Sequence, residues 1–476
     1  MTSSSRSTSV TSSNRLLFVI SVMALVTAGV AFSIRSDVLP DLQRVFFDPI
    51  DPEHSAGMTA SVASIAFLGF AFMIPIGGII CDYLGMGLLL GLSSVFFILG
   101  SLATIFAGPV TSALHCSVYW YLWFSMLILG FGWGLVEAII NPLIATLFPD
   151  HKTQKLNTLH AWWPGGLIIG GLIGYFLGEL AVGWQVKVAM ILVPAAIYLA
   201  MLLVVRFPAT ERVASEVTTR DMWRECLRPM FWIWFACMWL TAACELAPGQ
   251  WVQFALTRTV HMQGILLLVY VSGIMFLMRH FAGPLAHRFS PVGLLWLSAL
   301  LAGFGLTALS FAKSPVTGIL AATVWGTGVC YMWPTMLGVT AERFPKGGAL
   351  LLAFMGTAGN LSSYFVLGYL GKVYDQYKVS TAASLNWPNF SNLEAAAKAH
   401  QPGAENALNQ SLSMATHYSF LYVAALPIVL LIVFGLIWLR DRAQGGYRPE
   451  KIGRSTIGDE IGDGTGAATL IQPQTP

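Results

Sequence analysis

Residues 16–34 and 265–278 each pass without a single charged side chain. The first run is close to the roughly 20 apolar residues that a helix needs to cross a bilayer. Charged residues make up only 10% of the chain, against about 25% in soluble domains. A large soluble protein with an unusually apolar core does not account for this, because too little charge remains to keep its surface wet. Most of that surface must face lipid. Counting apolar stretches of about 20 residues predicts spans at 16–39, 58–81, 88–106, 119–147, 159–180 and 188–205, then at 230–254, 265–285, 294–311, 317–339, 350–370 and 418–439. The expected fold is an all-α membrane protein of twelve transmembrane helices.

Residues 207–228, rich in arginine and acidic side chains, read as a cytoplasmic linker between two six-helix bundles, 15–206 and 229–440. The Ser/Thr-rich head 1–14 and the Gly-rich tail 441–476 cannot bury enough apolar surface to fold and are expected to be disordered. Arg15 and the apolar run after it could pass for a signal peptide, but the run is longer than a signal core and its removal leaves an odd number of spans. Basic residues orient the chain. With a cytoplasmic N-terminus, that face collects the linker arginines and the cluster from Arg440 to Arg454, while Arg44, Lys187, Arg258, Lys313, Lys372, Lys378 and Lys398 are left for the other. Both termini are expected in the cytoplasm of a cell-membrane protein, with an insert at 372–417 outside. Within that insert, 392–400 reads as a short surface helix on an otherwise passive loop. The six cysteines lack the close pairing of a zinc or redox site. No cofactor or metal is expected. The net charge of +3 gives no reason to expect a nucleic-acid partner, and a monomer is expected.

The two bundles echo each other. Gly78-Ile-Ile-Cys-Asp82-Tyr-Leu-Gly85 follows the second span and Gly283-Pro-Leu-Ala-His287-Arg288-Phe289 the eighth, each leading into Gly-Leu-Leu at Gly87 and Gly293. In placement this resembles the loop motif of the major facilitator superfamily, which implies two pseudo-symmetric halves and gating roles for Asp82 and Arg288. The basic residues expected after Gly85 are missing, and His287 stands where an aspartate is usual.

A carboxylate inside the hydrocarbon zone demands an explanation, structural or functional. Glu137 lies in mid-span, with Gly134 and Asn141 on the same helical face and Pro142 next in line. It is the first candidate for a proton site. Asp37 either lies solvated at the rim of the first helix or, if that helix runs on, lines a cavity. In the seventh span Pro248-Gly249 is expected to break the helix beside Glu245, exposing Gln250 and Trp251 to a substrate. His160 and Trp163 share a face of the fifth helix; Asn360 and Tyr364 lie a turn apart in the eleventh. Arg279, preceded by fourteen uncharged residues, is expected to bond across helices in a structural or gating role.

Several of these stretches resemble the fucose–proton symporter branch of that superfamily: Asp37-Val-Leu-Pro40, Glu137-Ala-Ile-Ile-Asn141-Pro142, Asn157 to Gly166, Arg279 with Arg288-Phe289-Ser-Pro291, and Trp333-Pro334-Thr335. The resemblance implies proton coupling at Asp37 and Glu137 and sugar contacts near His160 and Trp163, with Trp333 replacing a tyrosine. The function expected is a secondary active transporter, importing a sugar or similar small polar solute with protons by alternating access. The rivals are a proton-antiport efflux carrier for amphiphiles and a membrane sensor. An enzyme is not expected, since no HExxH, GxSxG or Cys/His array is present.

Overall fold

The computed structural model describes residues 3–148, 152–208, 219–257, 260, 262–279, 288–448 and 450. Its helices are α1 (Ser3–Leu42), α2 (Ser55–Leu84), α3 (Met86–Ile105), α4 (Ala107–Leu114), α5 (Val118–Leu147), α6 (Lys152–Glu179), α7 (Trp184–Ala189), α8 (Leu192–Leu202), α9 (Thr219–Glu225), α10 (Pro229–Leu256), α11 (Gly264–Arg279), α12 (Pro291–Ser310), α13 (Pro315–Val329), α14 (Met332–Arg343), α15 (Gly348–Ser384), α16 (Phe390–Lys398), α17 (Ala404–Ala424) and α18 (Leu426–Ala443). Among the described residues eleven segments are long and apolar enough to cross a membrane, and the shorter apolar α11 makes the twelfth. The sixth, tenth and twelfth spans are each two helices in line: α7–α8, α13–α14 and α17–α18. With twelve alternating spans, the start of the first and the end of the last fall at one end of the bundle, called here the terminal end; the other is the distal end.

Within the first bundle α1 packs on α6, and α2 on α5. The α1–α6 contact is backbone to backbone, since a Cβ at Gly166 would lie 2.7 Å from the Val26 carbonyl oxygen. Small residues serve this role where lipid supplies no hydrophobic drive to associate. The two bundles meet along three seams: α2 with α15, α6 with α11, and α1 with α10. At the distal end the first seam is latched by Asp375. Its Oδ1 accepts from Lys378 Nζ (2.8 Å) and its Oδ2 from the Gly57 backbone N–H (2.6 Å) in the first turn of α2.

Four expectations need correction. The helix α10 runs unbroken through Pro248-Gly249. Proline at 248 frees the Cys244 carbonyl, but Trp325 Nε1 donates to it at 2.9 Å, and a transmembrane helix whose freed carbonyl is satisfied by a neighbour need not break. The insert at 372–417 is not a passive loop. The eleventh span continues to Ser384 and α17 begins at Ala404. The surface helix between them is Phe390–Lys398, which buries Phe390, Leu393 and Ala396 on one face. The head belongs to α1 from Ser3 onward, since extending an existing helix costs far less than starting one. The first part of the tail is docked: Tyr447 Oη donates to Glu342 Oε2 (2.5 Å), and Arg228 holds Glu450 through two nitrogens (2.9 and 2.5 Å). Residues 451–476, the side chain of Asp82 and the Gly283–His287 repeat lie outside the described residues.

Candidate functional site

Midway along the bundle, two adjoining voids share Trp163, Glu245 and Leu246 as walls. The more polar void draws its lining equally from the two bundles: Phe70, Trp133, Glu137, His160 and Trp163 face Glu245, Leu246, Arg279, Trp333 and Asn360. The first bundle's wall is aromatic. Trp133 and Trp163 stack in parallel with centroids 5.0 Å apart, while Phe32 meets Trp163 edge-on at 5.6 Å and Phe70 meets Trp133 at 4.7 Å. Such rings form a rigid surface, locked by their own geometry.

The polar side is organised by prolines. A proline inside a helix removes the donor for the carbonyl four residues earlier. Pro164 frees the carbonyl of His160, and Pro334 that of Cys330. Arg279 takes both: Nη1 donates to His160 O (3.3 Å) and Nε to Cys330 O (3.1 Å), while Nη2 meets Glu245 Oε1 at 3.4 Å. The Arg279 and Glu245 side chains are each only 8% exposed. A guanidinium's fixed fork suits three convergent acceptors where a lysine's single ammonium does not. The same device recurs on the α2–α15 seam, where Thr357 Oγ1 donates (3.3 Å) to the Ala71 carbonyl freed by Pro75.

The carboxylate of the first bundle joins this set. Asn141 Nδ2 donates to the Glu137 carbonyl (3.0 Å) and to its Oε2 (3.1 Å), so Asn141 Oδ1 must accept, and it does so from His160 Nε2 at 2.8 Å. His160 then carries its proton on Nε2. The result is one polar chain, Glu137–Asn141–His160–Arg279–Glu245, running from a carboxylate of the first bundle to a carboxylate of the second.

The remaining candidates fall elsewhere. The first helix runs on past Asp37, yet Asp37 does not line the chamber: it pairs with Lys187 Nζ at 2.7 Å, both side chains buried between α1, α6 and α7. Lys187, read from sequence as an outer-face residue, is the partner that reading missed; 150 positions separate the two. Gln250 and Trp251 are fully buried but outside the chamber. The unbroken α10 holds Trp251 against Phe254, with centroids 4.3 Å apart, while the Gln250 carbonyl accepts from Ser36 Oγ. Tyr364 is half-buried against Phe365, away from the voids. Arg288 is exposed, its guanidinium 5.8 Å from the Phe289 ring centre. Sequence reasoning also missed Trp133, Phe32 and Phe70, whose apolar neighbours hid them among ordinary core aromatics.

Comparison with known proteins agrees with this architecture. A sequence profile of the Major Facilitator Superfamily matches residues 16–366, most of the chain. Across 141 residues the chain is 24% identical to Myo-inositol transporter 1 of Candida albicans, a stretch covering 29% of this chain and only 24% of that relative. The fold superposes on the xylose transporter XylE of E. coli, in a partially occluded inward-open conformation, with a TM-score of 0.70 at 14% identity, over 89% of this chain and 98% of that one. A bacterial homologue of the human lysosomal transporter Spinster, inward-facing, gives 0.68 at 14% identity, over 92% and 99%. The E. coli fucose:proton symporter FucP gives 0.53 at 14% identity, over 88% and 99%. At such identities these structures speak for the fold alone. The profile, the twelve spans and a chamber shared by two six-helix bundles lead to one assignment: this chain belongs to the major facilitator superfamily and is a multi-span membrane transporter, not an enzyme.

Proposed function

We propose that the chain carries a sugar or similar small polar solute together with protons, by alternating access, and that Glu137 is its proton-binding group. The observation carrying this reading is the polar chain from Glu137 to Glu245. It sets a carboxylate of one bundle, through Asn141 and the ring and backbone carbonyl of His160, beside the arginine that grips both bundles. An ionised Glu137 accepts from Asn141 through a charge-assisted hydrogen bond at Oε2; protonation weakens that bond, while Asn141 stays anchored by the Glu137 carbonyl. Asp37, committed to Lys187, serves in this reading to hold the first bundle together rather than to load protons. Xylose, fucose and myo-inositol, named for the relatives above, are compact polyhydroxyl solutes, and the chamber offers the aromatic faces and polar groups that such solutes engage. The basic residues favour a cytoplasmic terminal end, so in this reading the latched distal end faces outward. One chain encloses the whole chamber, consistent with a working monomer in the cell membrane.

The test is Glu137→Gln, which mimics the protonated form. In proteoliposomes it should exchange labelled solute across the membrane but fail to accumulate it against a gradient. Accumulation equal to the parent's removes Glu137 from coupling. The more apolar void, lined by Leu167, Leu268, Val271, Met275 and Trp325, suits an amphiphile extruded by antiport. Resistance to lipophilic dyes on expression, with no sugar-induced proton uptake, selects that reading instead.

A further inference from the structure

Two buried acceptors of the chamber lack a donor. Glu245 is 7% exposed and its Oε2 has no protein partner; Asn360 is fully buried and its Oδ1 has none. The orientation of the Asn360 amide is set by its own helix. Its Nδ2 donates to the Gly356 carbonyl at 3.1 Å, which can only accept, so the oxygen is the atom left over. Against these acceptors the lining offers one unpartnered buried donor, Trp133 Nε1. Arg279, the chamber's strongest donor, spends three of its five N–H groups on protein acceptors. The charge is one-sided: of the ionisable residues lining this void, Glu137 and Glu245 are carboxylates, Arg279 is the fixed cation, and His160 has its Nε2 proton committed to Asn141. A buried acceptor without a donor is costly, and a site built to bond a particular group discriminates sharply against analogues that cannot supply it.

We infer that the chamber selects neutral polyhydroxyl ligands, binding them through hydroxyls that donate to Glu245 Oε2 and Asn360 Oδ1, and rejects sugars bearing a carboxylate. This rests on the reading of the chamber as the solute site. A hydroxyl supplies the donor both oxygens lack. A carboxylate supplies only acceptors, and brings negative charge into a chamber where Glu245, joined by Glu137 whenever it is unprotonated, already faces one arginine, and where the low dielectric magnifies repulsion.

The test uses the full chain, purified in detergent, and neutral sugars matched to their own uronates: D-glucose with D-glucuronate, D-galactose with D-galacturonate, and myo-inositol as a polyol without a partner acid. Binding is followed by the shift in thermal unfolding and by quenching of tryptophan fluorescence, to which Trp133 and Trp163 contribute from the chamber wall. At least one neutral compound should bind, and its uronate at least about tenfold more weakly. Asn360→Leu, which removes the orphan oxygen, should weaken the neutral ligand about tenfold without lowering the unfolding temperature of the empty protein. Glu245→Gln should narrow the gap between sugar and uronate. A uronate binding as tightly as its neutral partner overturns the inference while leaving the carrier reading intact. If no sugar of either kind binds, the sugar-carrier reading falls and takes this inference with it.

Discussion

Asp37 and Glu137 are both buried carboxylates of the first bundle, and their neighbours give them different work. Asp37 faces an ammonium at 2.7 Å; Glu137 faces only an amide and the void. Removing one partner of a buried ion pair costs about 3–5 kcal/mol because the other charge is left stranded, whereas replacing both with apolar side chains is often neutral. Asp37→Asn should therefore lower the unfolding temperature markedly, and the double change Asp37→Leu with Lys187→Met should restore much of it. Glu137→Gln keeps an oxygen for Asn141 and should unfold close to the parent. Equal unfolding temperatures for Asp37→Asn and the parent would show that the pair holds nothing together. At this scale the sequence was half legible. Prolines at 75, 164, 248 and 334 each identify the carbonyl they free, by simple counting. Nothing local identifies the donors that answer, Thr357, Arg279 and Trp325, since these arrive from other helices.

The elements were legible wherever lipid contact dictated composition, because an uncharged run of bilayer length has one way to satisfy its backbone. They were not legible at the ends, where helices leave the membrane and protein contacts take over. The tail is the clearest instance. Gly445 and Gly446 adopt positive φ values of 90° and 103°, the region glycine enters without strain, and the chain turns back along the terminal end. There Tyr447 packs under the Arg343 guanidinium at 5.0 Å and Glu450 meets Arg228. The hydrogen bonds from Arg228 hold the Glu450 carboxyl below its ordinary value of 4.5. A depressed carboxylate stabilises the docked form above that value and loses its contribution as pH falls through the lowered one. Both side chains are more than a third exposed, so the link is modest and screened by salt. Limited proteolysis between 444 and 450 should be slow at neutral pH and low salt. It should quicken in 1 M salt, in Arg228→Ala, and as pH falls well below the ordinary carboxyl value of 4.5 when an acid-active protease is used. Cleavage insensitive to all three would mean that the pair does not dock the tail.

For the whole molecule the deciding question is what keeps the distal end shut. Asp375 belongs to the second bundle, yet it caps the first turn of α2 in the first, taking the Gly57 N–H that the helix cannot satisfy itself. Lys378 beside it donates to the Pro52 carbonyl at 3.2 Å. Just below, the two helices touch so closely that a Cβ on Gly371 would lie 2.4 Å from the Ala60 Cβ and 2.9 Å from the Ala56 carbonyl oxygen. Backbone at that distance cannot give way as a flexible side chain can. Gly371→Ala should therefore wedge the seam, and Asp375→Ala should unlatch it, each shifting the carrier toward a distal-open state. Ser64, 1% exposed, stands opposite Gly368 on the same seam with its hydroxyl 3.8 Å from where a Cβ would sit. A Ser64→Cys reporter therefore adds little bulk, and Cys116, the exposed native thiol, would first be replaced by serine. A membrane-impermeant maleimide added from the distal side should label that reporter slowly in the parent background and at least about tenfold faster with either gate substitution. The same substitutions should slow net transport, because a carrier held open on one side completes fewer cycles. Labelling that stays slow in both variants would mean that closure is enforced elsewhere, and the α1–α10 seam, where Ser36 reaches the Gln250 carbonyl, would become the place to look.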